Sequence, residues 1–229
     1  VASGLEIRQN SGKEGVIKLV KNKLKNAMRT AGNNFSVDMY SDGTTANQIN
    51  GLQALVSDAG TGTVGGINSA TYTFWKNILQ SAAAPLQGGG GITPSATTME
   101  SLMLPMWLAL TRNNDMPDLI VADDTYFTFF DNSQTSLKRY TNTTDVAAGS
   151  TSLKYKGADV VYDSVASGMP DAHMYFLNTD YIGLSCHRDA NWTEVHEKWS
   201  VNQDSQVLPI IWQGNMTVSN RSLQGVLKA

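Results

Sequence analysis

The side chains best suited to chemistry are few, and their spacing decides what each could do. Cys186, His187 and His196 come nearest to a metal-binding set. Zinc sites draw their ligands in closely spaced pairs that can face one ion. Cys186 and His187 are adjacent, so on a strand they point to opposite faces and cannot hold the same ion. His173 stands apart. Asp123 and Asp124 form a carboxylate pair of the kind acid–base catalysis uses. They also stand between an apolar run and a helix-forming segment, where one acid caps the helix and the other suits its dipole. Gly60, Gly62 and Gly65 match G-x-G-x-x-G. A dinucleotide loop needs a strand before it, a helix opening on it and an acid about 20 residues later for the ribose. Residues 80–90 carry no acid. No Walker-type loop or G-x-S-x-G elbow occurs, and no nucleophile motif surrounds Cys186. These residues predict no enzyme: no catalytic, cofactor-binding or metal-binding residue, and no cofactor.

What remains is the charge pattern. Charged residues make up 16% of the 229-residue chain and apolar residues 41%. The charged share lies below the usual quarter or so, and Asn, Thr, Ser and Gln fill the difference. Neutral polar surfaces can bond to other proteins without the cost of desolvating ions. The net charge of −3 is uneven: Lys13, Lys18, Lys21, Lys23, Lys25 and Arg29 are opposed within 11–31 only by Glu14. Such a strip suits a polyanion or an acidic neighbour, and a solvated helix face would look the same. Cys186 is the only cysteine, so no intrachain disulfide forms. No run of about 18 apolar residues suggests a membrane span, and no signal-peptide pattern opens the chain. The start at Val1, without an initiator Met, reads as a cleavage product or a piece of a longer chain.

The elements follow from periodicity. Ser11 and Glu14 predict a capping box opening a helix at about 12–30, with Ile17, Val20, Leu24, Ala27, Met28 and Ala31 as its apolar stripe. Gly32 is the expected stop. Residues 42–66 read as loops around a strand or short helix at Leu52–Val56. A second short helix is expected at about 69–81 on Tyr72, Trp75, Ile78 and Leu79. Gly88 to Gly91 mark a linker. Thr97 and Glu100 predict a capping box for a helix burying Met99, Leu102, Met103, Met106, Trp107 and Leu110. Pro105 either kinks that helix or marks its true start. Leu119–Ala122 is a short strand, with Asp123 or Asp124 capping the segment from Thr125. Strands are expected at Val160–Tyr162, Met174–Leu177, Glu194–Ser200, Val207–Trp212 and Met216–Ser219. Helices and strands do not alternate strictly, so the fold class is α+β.

Several phrases in this order resemble one family of tailed-phage major capsid proteins. They are SGLEIRQNSGKE (3–14), YSDGT (40–44), GLQALV (51–56), TGTVGGIN (61–68), PDLIVADDTYF (117–127), SLKYKGADVVYD (152–163), MYFLNTDYI (174–182) and SVNQDSQVLPIIWQGNMTVSNRSLQGVL (200–227). None is a chemical motif, and together they span nearly the whole chain. The resemblance implies a Hong Kong 97-like capsid fold. A peripheral domain with a spine helix and antiparallel sheet would occupy 1–92, an axial domain 93–180, and the return to the peripheral sheet 181–229. It implies a structural coat subunit that self-assembles, as pentamers and hexamers, into an icosahedral head around double-stranded DNA. Location would be the virion capsid, with host cytoplasm before assembly and a phage or prophage source. A scaffold protein and packaged DNA are the implied partners, and no membrane. Lys18, Lys21, Lys25 and Arg29 would form a DNA-facing or intersubunit strip. The family's N-terminal arm and extended loop are missing ahead of the spine helix, so the chain is expected to fold but to stay monomeric or weakly associated.

Two other readings compete. Asn, Thr and Trp content and N-x-[ST] triplets at Asn34, Asn142, Asn191, Asn215 and Asn220 suit a secreted carbohydrate-binding or adhesion module. The missing disulfides and the basic amphipathic helix oppose it. A nucleotide-dependent enzyme would rest on the glycine-rich loop alone.

Overall fold

The structure is a computed structural model that describes residues 1–10, 13–134 and 153–229. Along the chain run β1 (Ala2–Ser3), α1 (Gly4–Gln9), α2 (Lys13–Asp38), α3 (Leu52–Leu55), β2 (Thr63–Val64), β3 (Ile67–Asn68) and β4 (Ile78–Ser81). Then come α4 (Met99–Leu110), β5 (Leu119–Ala122), α5 (Asp124–Ser133), β6 (Leu153–Tyr155), β7 (Ala158–Tyr162) and β8 (His173–Leu177). The last stretch holds β9 (Ile182–Cys186), β10 (Thr193–Glu194), β11 (Lys198–Trp199), β12 (Ser205–Val207), β13 (Ile210–Ile211), β14 (Gly214–Val218) and β15 (Gly225–Lys228). Two compact units result: residues 1–36 with 184–215, and residues 37–183 with 216–229. The expected divisions at 92/93 and 180/181 do not coincide with these.

The second unit is built on a six-stranded mixed sheet in the order β4-β15-β8-β5-β7-β6. β15 runs parallel to β4 and antiparallel to β8, and β5 runs parallel to β7. Strand alternation sends neighbouring residues to opposite faces. Ile120, Ala122, Met174, Phe176 and Leu227 join the buried faces of α4 and α5 on one side. Val121, Tyr175, Leu177 and Val226 pack with Tyr40, Leu52, Leu55 and Val56 on the other. Both faces being covered, the strands read as continuous apolar runs rather than alternating ones. The expected strands at Leu119, Val160 and Met174 all lie in this sheet.

Several local expectations change. The helix expected at 69–81 is instead a 3-10 turn at Thr73–Trp75 followed by β4. Pairing of Ile78 and Leu79 with Gly225 and Val226, far along the chain, overrides their helical spacing. The Thr97–Glu100 box does not form: Thr98 is the N-cap without a side-chain bond, because its hydroxyl donates back to Thr93 O at 2.7 Å. α4 passes through Pro105 unbroken. The carbonyl that Pro105 cannot engage is that of Ser101, and Gln87 Nε2 donates to it at 3.2 Å. Gly32 does not stop α2, which continues to Asp38 and spans about 39 Å. Beyond the glycine, Phe35 stacks edge-on against Trp212 (4.8 Å) and Trp192 (5.9 Å), anchoring the added turns. The Ser11–Glu14 box, the side chain of Ile17 and Asn142 lie outside the described residues. Sequence reasoning also passed over a capping box that does form, Ser3 with Glu6 at the start of α1.

The first unit is different in kind. β11 and β1 flank β12 in a three-stranded antiparallel sheet, and β10 pairs with β13. Among its described residues only Ala2, Gly4 and Ser205 are buried, and both apolar core clusters belong wholly to the second unit. Among the described residues no helix is long and apolar enough to cross a membrane.

Candidate assembly surface

The chemistry-bearing residues are dispersed and used locally. Cys186 is exposed on β9, and His187 Nδ1 accepts from Asp189 N within its own turn. Among the described residues no three His, Cys, Asp or Glu side chains gather as metal ligands. Asp123 is fully buried and accepts from the backbone N–H groups of Tyr126 (3.0 Å), Thr125 (3.3 Å) and Ala172 (2.9 Å). Those bonds occupy the carboxylate of Asp123, while Asp124 is exposed to solvent. Gly60, Gly62 and Gly65 lead into the β2–β3 hairpin, with Gly65 and Gly66 both at positive φ in its two-residue turn. No helix opens there to receive a phosphate.

Two polar centres were invisible in the sequence because their members are far apart along the chain. His173 Nε2 lies 2.9 Å from Asp58 Oδ2, and its Nδ1 lies 2.6 Å from the carbonyl of Asp171. Both ring nitrogens face acceptors, which only the imidazolium satisfies. Burial pulls the His173 pKa down, but the bonds to Asp58 and Asp171 outweigh it and the net direction is up. Asp58 is held low, first by the bond from His173. Arg221 is fully buried, and among the described residues it makes no ion pair with a carboxylate. Its guanidinium donates to Leu55 O (2.6 Å), Thr61 O (3.4 Å) and Ser69 Oγ (3.4 Å), tying α3 to the loop that carries the glycines.

The surface of α2 is the more informative feature. Lys18, Lys21, Lys25 and Arg29 are all exposed. At about 100° per residue they fall within one narrow arc of the helix. Among the described residues none of the four makes an ion pair, whereas Lys23 pairs with Glu6. The apolar stripe is only partly covered: Val20 and Leu24 are half-buried and Met28 is 37% exposed. Beside it lies a small groove of about 80 Å³, lined by Val20, Leu24 and Ala27 of α2 and by Val1, Leu208 and Ile210. The surface of α2 thus carries an exposed charged ridge beside a small apolar groove.

A chain of the cyanophage A-1(L) capsid asymmetric unit superposes with a TM-score of 0.63 at 18% identity, covering 100% of this chain and 74% of that one. The fold is that of a phage capsid protein. A chain from the capsid of an empty GTA particle superposes with a TM-score of 0.57 at 12% identity, covering 99% of this chain and 70% of that one. No protein-family model and no curated protein sequence matches the chain. The capsid fold therefore takes in both units, the cored sheet and the thinly packed helical one.

Proposed function

We propose that this chain is a structural subunit of a phage head, with the Hong Kong 97 arrangement and no catalytic activity. The observation that carries the reading is coverage: two capsid chains each superpose on 99% or more of this one, which supports a capsid role for the whole chain. The internal use of the buried polar groups supports it, since Asp123, Arg221 and Gln80 all bond backbone groups within the second unit. On this reading α2 is the spine helix of the peripheral domain, and the six-stranded sheet belongs to the axial part. Copies form pentamers and hexamers around double-stranded DNA, with a scaffold protein during assembly, first in host cytoplasm and then in the virion. The basic strip Lys18, Lys21, Lys25 and Arg29 then faces packaged DNA or the acids of a neighbouring subunit.

The test is mass spectrometry and electron cryomicroscopy of heads purified from the phage or induced prophage that encodes the chain. The expected result is this chain as the dominant coat species, traceable in every capsomer. Heads whose lattice is built from another protein would refute it. A thermal-shift screen with nucleotides and glycans should give no shift, because a ligand that binds only the folded state must raise its stability.

A further inference from the structure

We infer that Asn50 is a self-modification site: its side-chain amide is lost to attack by the backbone nitrogen of Gly51, and the hydroxyl of Ser41 sets how fast. The site lies wholly in the second unit and does not depend on the shell-subunit reading.

Three observations carry it. Asn50–Gly51 is the only Asn-Gly bond in the chain, and asparagine is among the thermally labile side chains. With no side chain on Gly51, nothing crowds the approach of its nitrogen to the Asn50 amide carbon. The fold also keeps that glycine in place. A Cβ at position 51 would stand 2.3 Å from Ser41 N and 2.6 Å from Asp38 O and Met39 O, all of them backbone atoms. Finally, Asn50 is exposed, and of residues 42–50 only Ile49 is buried. Water therefore reaches the amide, and small movements of the loop cost little.

The step needs only water. Gly51 N bonds to Asn50 Cγ as the Cγ–Nδ2 bond breaks, and the proton of Gly51 N leaves with Nδ2 as ammonia. Water then opens the cyclic imide. Addition at Cγ leaves aspartate; addition at the main-chain carbonyl carbon leaves isoaspartate, whose backbone is one carbon longer.

The fold holds a brake on ring closure. Gly51 N donates to Ser41 Oγ at 3.3 Å, and Ser41 Oγ donates to Ile49 O at 2.5 Å. One hydroxyl thus bridges the two sides of Asn50 and fixes the peptide that must turn. The first of these bonds is long and holds the nitrogen weakly. Either product loosens the turn. Asp42 and Asp38 already stand in it, accepting from Thr44 N and Gln48 Nε2, and the Asn50 side chain lies against Gly43, next to Asp42. A third carboxylate there meets like charge. Isoaspartate shifts Gly51 from a seat without spare room, and with it Leu52 N, which donates to Met39 O at 2.7 Å.

The test ages the purified full chain in mildly alkaline H₂¹⁸O at physiological temperature and maps its peptides by mass spectrometry, with electron-transfer fragmentation to separate aspartate from isoaspartate. Asn50 is expected to convert first, gaining ¹⁸O in both products, ahead of the Asn-Ser bonds at Asn10, Asn68 and Asn132. Ser41→Ala should convert about 2- to 10-fold faster, the change in open population that follows from losing one hydrogen bond. If that variant does not fold by circular dichroism, wild type unfolded in urea supplies the unclamped rate, which should exceed the folded rate by at least that factor. Asn50→Gln, whose ring closure is slower, should stay intact at position 50 over the same time. Asn50→Asp, which reproduces one product, should melt at a lower temperature than fresh wild type. Conversion at Asn50 no faster than at the Asn-Ser bonds would overturn the inference. So would an unchanged rate in folded Ser41→Ala, or equal rates in the folded and unfolded wild-type chain. An unchanged melting temperature in Asn50→Asp would overturn the loosening of the turn.

Discussion

At the residue scale, the His173–Asp58 pair makes stability depend on pH with a definite sign. The pKa of His173 is raised in the fold, so its contribution is complete below the ordinary value of 6.5 and lost as pH climbs through the raised one. The pKa of Asp58 is lowered, so its contribution is complete above 3.8 and lost as pH falls through its folded value. The surrounding charges are Asp171, whose carbonyl accepts from the ring, and Lys228, which stands opposite His173 on β15 and opposes its protonation. Urea denaturation of wild type and His173→Asn should differ most between about pH 4.5 and 6.5, and the difference should shrink above that range. A gap that widened as pH rose would show that the histidine is neutral in the fold. Arg221 predicts a larger effect. Arg221→Ala removes the donor to Leu55 O and Thr61 O and opens a cavity, which should cost about 3–5 kcal/mol by urea denaturation. Arg221→Lys should recover only part, since an ammonium lacks the planar fork that reaches separated acceptors.

At the element scale, the two helices that departed from expectation each give a measurable consequence. Gly32 lies inside α2 with nothing within 4 Å of where a Cβ would stand. Gly32→Ala should therefore stabilise by about 0.5–1 kcal/mol, read as a rise in urea midpoint at unchanged slope. In α4, Gln87 supplies the hydrogen bond that Pro105 cannot. Gln87→Ala should cost about 0.5–1 kcal/mol in wild type and clearly less in a Pro105→Ala background, where the new backbone N–H reaches Ser101 O. Equal costs in both backgrounds would separate the glutamine from the proline. These cases also mark what was legible in the sequence. The Leu119–Ala122 strand with its Asp123 cap could be read locally, because apolar run, cap and helix are contiguous. β4 could not, since Tyr72, Trp75, Ile78 and Leu79 keep helical spacing and only a partner almost 150 residues away decides otherwise. The basic ridge was legible by residue, whereas the groove beside it depends on Leu208 and Ile210 arriving from a distant segment.

At the scale of the whole molecule, the division of burial between the two units predicts uneven protection. Hydrogen exchange should be slowest in β5, β8 and β15, whose apolar residues line both cores, and faster by orders of magnitude across α1, α2 and β10–β13. Uniform protection would contradict the contrast in packing. The fold class itself was readable from the mixture of periods, but not the sheet order, which depends on where short apolar runs of similar character find partners. The path of the chain through that sheet has a last consequence. β15 lies between β4 and β8, yet it follows β8 by nearly fifty residues. As the polypeptide is translated, both of those strands wait with bare hydrogen-bonding edges and an unfilled slot between them. Until that segment emerges, the nascent chain is open to stray pairing with other copies, so a chaperone's shelter is most valuable during this interval.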